Sequence, residues 1–387
     1  MLQVIDFEDP DFLRDPYPAL AELRSQAPVS RHEPTGMWLA ASHAAADAVL
    51  RDRRLGRFWR DREPAEWWEP FNLLHRNQMM ENEPPDHTRL RSLVAKAFGR
   101  GHVERLRPAV AAEATALLEA AGDTFDLLTE LAEPLAVTVI AELLGVPRPD
   151  RHKLRPWSAA IVKMYEVSRT TAAEEAALEA CRDFADYVRH LATRQTDGLL
   201  SDLVAARDGT DRLTGDELVA SAILLLNAGH EASVNALGGG VVALLKQPAQ
   251  LARLRADRGL EATAIEEMIR YDPPLHLFVR TAAAPVTIAG VPIPAGGQVA
   301  ALLGAANRDP AVFAEPDRFD LARDPNPHLG FGAGLHFCLG APLARIELRA
   351  ALRALLDHAP TLRLAAEPVH RPTFVLRAFT EVRLTTA

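Results

Sequence analysis

A lone cysteine placed just ahead of a helix start is chemically poised, because free N–H groups and the helix dipole there favour an anion. The run Phe331-Gly332-Ala333-Gly334-Leu335-His336-Phe337-Cys338-Leu339-Gly340 has this form, and Ala341-Pro342-Leu343-Ala344-Arg345 opens a helical pattern behind it. Glycines at this density let the backbone approach a bulky partner and take dihedrals closed to other residues. One soft thiolate suits a transition metal held mainly by a macrocycle. The plain alternative is a structural cysteine buried in a turn, which is the commoner fate of a lone cysteine. Cys181, the other of the two cysteines, has no such surroundings and reads as a helical core residue.

A second constellation lies in Leu224-Leu225-Leu226-Asn227-Ala228-Gly229-His230-Glu231-Ala232-Ser233. Burying an unpaired charge is costly, so Glu231 either turns outward or has work to do. A zinc site is excluded, since Val234 stands where His230-Glu231 would need a second histidine. The small pair Ala228-Gly229 predicts a local opening of the helix, where water can enter the hydrogen-bond ladder. His87 and Arg91 are four apart and share one helix face, which on the residues alone is a solvated polar face. Glu267-Met268-Ile269-Arg270 sets an acid and a base three apart, a common salt-bridge spacing.

These residues need elements to hold them. Apolar spacing predicts helices over roughly 86–98, 104–121, 129–144, 173–194, 214–245, 260–271 and 341–357. Thr214-Gly215-Asp216-Glu217 is a capping box at the start of the longest. Asp272-Pro273-Pro274 stops the helix carrying Glu267 and Arg270. Strand signals are fewer: 37–41, the pair 286–288 and 291–293 around Ala289-Gly290, 298–302 and 381–384. The expected fold is mainly α with a small β region. No repeat or linker divides the chain, so residues 1–387 are expected to form a single domain.

Composition bounds the rest. The 387 residues are 48% hydrophobic and 25% charged, ordinary for a globular protein. A formal net charge of −9 and the lack of a dense basic block argue against nucleic acid as a partner. Two cysteines without a C-x-x-C pair support neither a disulfide framework nor a structural zinc site. The N-terminus carries no secretory pattern, and no apolar run approaches the ~20 residues of a membrane span. A soluble, cytoplasmic protein is expected.

The run around Cys338 resembles the haem-binding loop of the cytochrome P-450 family, with phenylalanine, glycines, histidine and cysteine at matching spacing. The resemblance extends over essentially the whole chain. It implies the cytochrome P-450 fold and a soluble, bacterial-type haem-thiolate monooxygenase. Cys338 would ligate the iron of haem b, with Phe331, Gly332, Gly340 and Ala228 lying against the macrocycle. Pro84-Pro85-Asp86-His87-Thr88-Arg89-Leu90-Arg91 is similar to the family's propionate-binding helix, which reverses the bland reading of His87 and Arg91. Arg280 and His336 match the other propionate partners, and arginine's fork of donors suits a carboxylate. Glu267 and Arg270 match the family's E-x-x-R brace, with Arg318 in Pro316-Asp317-Arg318-Phe319 as its third, structural member. Glu231 would relay protons during oxygen activation.

One departure stands out. The family's usual threonine after the acid is Ala232 here, with Ser233 next. Either Ser233, a water or a substrate hydroxyl takes over, or the enzyme couples or cyclises an indole or phenol precursor without inserting oxygen. The aromatic run from Phe58-Trp59 through Trp67-Trp68 to Phe71 is expected to lid a pocket suited to aromatic natural products. Leu225, Gly229, Leu275 and Phe379 are candidate pocket residues. Without a flavin or iron–sulfur signature, electrons from NAD(P)H are expected through a ferredoxin and its reductase, docking on Arg100, Arg105, Arg107 and Arg345 of a monomer. The rival class is a non-catalytic haem-binding helper, which would be expected to lose Cys338 or Glu231.

Overall fold

The computed structural model describes residues 5–166, 169–194, 198–206 and 209–386. Its centre is the helix Gly215–Leu245, buried on nearly all sides. A helix apolar all round must sit inside a larger protein or a bilayer. Here it is wrapped by helices Ala65–Arg76, Glu133–Leu144, Leu154–Val162, Thr171–Ala192, Glu261–Tyr271 and Ala341–His358. Its start is fixed by the expected capping box: the Glu217 N–H donates to Thr214 Oγ1 at 3.2 Å, and the Thr214 N–H donates to Glu217 Oε2 at 2.8 Å. No described helix is long and apolar enough to cross a membrane.

The β region is small, as expected, but its main sheet has five strands. Their order is Val29–His32, Met37–Ala40, Gln298–Leu302, Leu277–Ala282 and Leu55–Gly56. Only the pairing of 37–40 with 298–302 is parallel. The hairpin 286–288/291–293 turns at Ala289 and Gly290, both with positive φ. The segment 381–384 divides into Phe379–Glu381 and Arg383–Thr385, in two separate sheets.

The helix read as beginning at 129 starts instead as a wider turn over Leu127–Ala132, which feeds Glu133–Leu144. The expected opening at Ala228-Gly229 is absent: the helix is continuous from 215 to 245. Gly229 serves packing, since a Cβ there would lie 3.2 Å from Ile140 Cδ1.

Candidate active site

A cavity of about 570 Å³ separates the Cys338 loop from the central helix. Phe331, Gly332, Cys338 and Gly340 line one side, and Leu225, Ala228, Gly229, Glu231, Ala232 and Ser233 line the other. The loop is closed locally: the Cys338 N–H donates to the Phe331 carbonyl at 3.0 Å, and the Gly332 N–H to the Leu329 carbonyl at 2.8 Å. Gly334 has φ +68°, and a Cβ there would lie 2.4 Å from the Leu50 carbonyl oxygen, so only glycine fits. Cys338 precedes the helix Ala341–His358 by three residues. Burial pushes its thiol above the ordinary range, against backbone N–H bonds from Gly340 and Ala341 and the nearby Arg91. A metal cation held there would favour the thiolate, as metals do for coordinating thiols.

The polar residues read as propionate partners meet at one end of this cavity. His87 is buried with neither ring nitrogen hydrogen-bonded, and burial lowers it to about 4. Its ring lies 4.5 Å from that of His336, centroid to centroid. His336 Nε2 pairs with Glu83 Oε1 at 2.7 Å. Arg280 is buried and donates to the Val279 carbonyl at 3.0 Å; burial, then Arg57, lowers it to about 10. Arg91 gives one donor to the Phe337 carbonyl at 2.7 Å and keeps the rest of its fork. Buried donors without partners are rare in folded proteins, so an unpaired histidine beside Arg91 and Arg280, for which no ion pair is found among the described residues, fits an acidic ligand. A flat macrocycle with two carboxylates and a thiolate-ligated iron meets these requirements together.

The structural brace is present with a different third member. Arg270 is fully buried and grips Glu267 through Nε at 2.7 Å and one terminal nitrogen at 2.9 Å. The other arginine on Glu267 is Arg323, whose Nε lies 3.2 Å from Oε2. Arg318 gives this cluster only its backbone carbonyl, at 3.2 Å from Arg270. Its own side chain points to solvent and pairs with Glu315 at 2.9 Å. The loop turns between the two positions, so the arginine that faces inward is five residues later than the motif suggests. Arg323→Ala should therefore lower the urea midpoint clearly, while Arg318→Ala shifts stability by no more than about 0.5 kcal/mol. The reverse order would restore Arg318 to the brace.

Two pocket expectations fail. Phe58, Trp59, Trp67, Trp68 and Phe71 are all absent from the cavity wall. Trp59 and Phe71 each stack on His75, Trp67 and Trp68 meet edge to face, and Phe58 and Trp67 remain exposed. Phe379 likewise stacks on His370 at 4.1 Å, outside the wall. The preceding turn, Phe374, Val375 and Leu376, lines the cavity in its place, together with Leu275 as expected.

Glu231 is partly open, with His230 Nδ1 and an Arg371 nitrogen each 3.9 Å away. Its charge is thus neither deeply buried nor tightly paired. Ser233 turns to a residue that sequence reasoning missed. That residue is Glu347, which is buried on the Cys338 helix and also lines the cavity, close enough to Ser233 for the hydroxyl to favour its charged form. Burial raises Glu347 to about 8, so it holds a proton at neutral pH. An acid in the apolar stripe Leu343, Ile346, Leu348 was the available signal.

Comparison with known proteins agrees with this geometry. Residues 260–359 match the Cytochrome P450 family. Cytochrome P450 monooxygenase PikC of Streptomyces venezuelae is 44% identical over 92% of this chain and 87% of its own. 6-Deoxyerythronolide B hydroxylase of Saccharopolyspora erythraea is 39% identical over 97% of each. The crystal structure of P450BioI in complex with hexadec-9Z-enoic acid ligated acyl carrier protein superposes with a TM-score of 0.93 at 34% identity, covering 98% of this chain and 99% of that one. With the thiol, the acidic-ligand cradle and the central helix around one cavity, this chain belongs to the cytochrome P450 family.

Proposed function

We propose that this enzyme inserts one atom of dioxygen into a C–H bond of a natural product, converting R–H to R–OH with two electrons and two protons and releasing water. The observation that supports this most is the convergence of Cys338, the His87–Arg280 cradle, Glu231 and Glu347 on one cavity. A haem held there by Cys338, with His87, Arg91, Arg280 and His336 on its propionates, supplies the redox-active iron for dioxygen activation. Relatives named as a monooxygenase, a 6-deoxyerythronolide B hydroxylase and a mycinamicin IV hydroxylase/epoxidase favour insertion over coupling. So does the closeness of Ser233 to Glu347. Ala232 leaves space beside Ala228 on the cavity face, and the next residue carries the hydroxyl that the position lacks. Glu231 stands toward Arg371 and solvent, while Glu347 holds a proton on the inner side. The two acids thus offer an outer and an inner proton source.

Turnover of a panel of macrolactones and acyl chains under labelled dioxygen tests the reading. The expected product carries one labelled oxygen atom. A main product without label, joined or cyclised at an aromatic ring, would establish coupling instead.

Electrons are read as coming from a separate ferredoxin, docking where Phe337 is exposed beside Cys338. The helix Arg100–Ala120 packs against the Cys338 helix and presents Arg105. The side chain of Arg100 lies outside the described residues. Arg107 pairs with Glu104, and Arg345 pairs with Glu266 while stacking on Phe331, so both charges are largely matched. Arg105→Glu is expected to slow reduction by a ferredoxin and to flatten its salt dependence, measured by stopped-flow absorbance. Unchanged rates across salt would remove Arg105 from the docking face.

A further inference from the structure

The helix Ala65–Arg76 ends in a buried histidine whose hydrogen bonds fix the direction of its neighbours. His75 Nδ1 lies 2.7 Å from the Phe71 carbonyl oxygen, and Nε2 lies 2.9 Å from the Tyr165 hydroxyl. A carbonyl only accepts, so Nδ1 carries the ring proton and Nε2 takes the hydroxyl proton of Tyr165. Burial lowers His75 to about 4, which keeps the ring neutral at neutral pH. The Tyr165 oxygen is then left with lone pairs alone to offer.

Asn227 stands on the central helix, one turn before Glu231 and next to Ala228. It is 8% exposed, and its Oδ1 has no hydrogen-bond partner. Both Asn227 and Tyr165 line the large cavity. Both also line a second void of about 10 Å³, whose remaining polar walls are His75 and Gln78. That space is about the size of one water or one hydroxyl group. The Tyr165 oxygen, with no proton left to give, and the unpartnered Asn227 Oδ1 therefore border one gap, beside the amide groups of Asn227 and Gln78. A buried acceptor left empty is costly, so such a pair selects whatever brings it a proton.

We propose that Asn227 and Tyr165 form a subsite for a hydrogen-bond donor on the substrate, a hydroxyl or N–H group. This rests on the reading of the large cavity as the substrate and haem chamber. A carboxylate placed against the Tyr165 oxygen would meet an acceptor with no proton to give, so a donor is favoured there. The subsite shares a helix face with Glu231 and Ala228, so a donor seated in it would fix which part of the substrate faces the region of proton delivery. Sites built to bond a substrate hydroxyl reject analogues that lack it far better than apolar pockets do.

The test uses haem-loaded enzyme and ligands whose binding does not depend on knowing the substrate. Imidazoles coordinate haem iron and shift its main absorption band. Three series of N-alkylimidazoles of increasing chain length would be titrated, ending in a methyl group, a hydroxyl or a methyl ether. At the length that reaches the subsite, the hydroxyl should bind about fivefold more tightly than the matched ether. Asn227→Leu should abolish that preference while binding the plain alkyl series as tightly as before. Tyr165→Phe should reduce it. Equal affinity of hydroxyl and ether at every length would overturn the subsite, as would a preference that survives in Asn227→Leu. Failure of every imidazole to shift the band would overturn the haem chamber itself, and the subsite with it.

Discussion

Glu267→Ala is expected to destabilise the protein by about 3–5 kcal/mol, because it leaves a fully buried guanidinium without its carboxylate. Arg270 has no exposed surface, and neither has Glu267. The carboxylate also accepts from the Asp320 N–H at 2.8 Å, so its loss frees a backbone donor as well. Such a loss is a large share of the about 5–15 kcal/mol that stabilises a typical domain. Urea unfolding followed by circular dichroism would show it, and a cooperative transition within 1 kcal/mol of wild type would contradict it. Glu267→Gln keeps the shape but offers one neutral acceptor, and should fall between the two. The brace ties the helix Glu261–Tyr271 to the loop before Cys338, so the Ala variant should also bind haem poorly.

Glu347→Gln should lower turnover on the order of tenfold to a hundredfold while leaving the resting haem spectrum unchanged. The signature of a lost proton source is uncoupling, in which reductant is consumed without a matching amount of product. Ser233→Ala should share that signature, and Ala232→Thr should lessen it in the Ser233→Ala background. A fall in turnover with coupling intact would assign Glu347 a merely structural part. The same residue sets a pH dependence. Its folded value of about 8 lies above the unfolded carboxyl value of about 4.3. Between these values the native state binds more protons than the unfolded state, so stability falls as pH rises through the window. The Gln variant removes this slope. Its stability should match wild type near pH 4 and exceed it increasingly toward pH 8, read from unfolding curves across that range.

The parts legible in the sequence were those whose chemistry is local. The Cys338 loop, the capping box at Thr214 and the Ala289-Gly290 turn each carry their structural reason within a few residues. The helices over 86–98, 214–245 and 341–357 came through because their apolar faces are long and well terminated. The helix Ala65–Arg76 did not, since its aromatic run with an internal Pro70 looks like a loop until His75 and the helix Thr171–Ala192 are in place. Arg318 was mistaken for Arg323 because the turn between them inverts which side chain points inward. The aromatic lid failed for a related reason: Trp59, Trp68 and Phe71 pack within their own segment, while Phe58 and Trp67 face outward rather than into the cavity. Glu347 and Asn227 are polar residues in apolar helices, and their roles exist only once a second element supplies the cavity.

The whole account rests on thiolate ligation by Cys338, and the most direct test is the absorption spectrum of the reduced, haem-loaded protein under carbon monoxide. The account predicts the long-wavelength band characteristic of thiolate-bound haem, and its replacement by the shorter-wavelength band of a neutral ligand in Cys338→His. A short-wavelength band in the correctly folded wild type, or an unchanged long-wavelength band in Cys338→His, would contradict it.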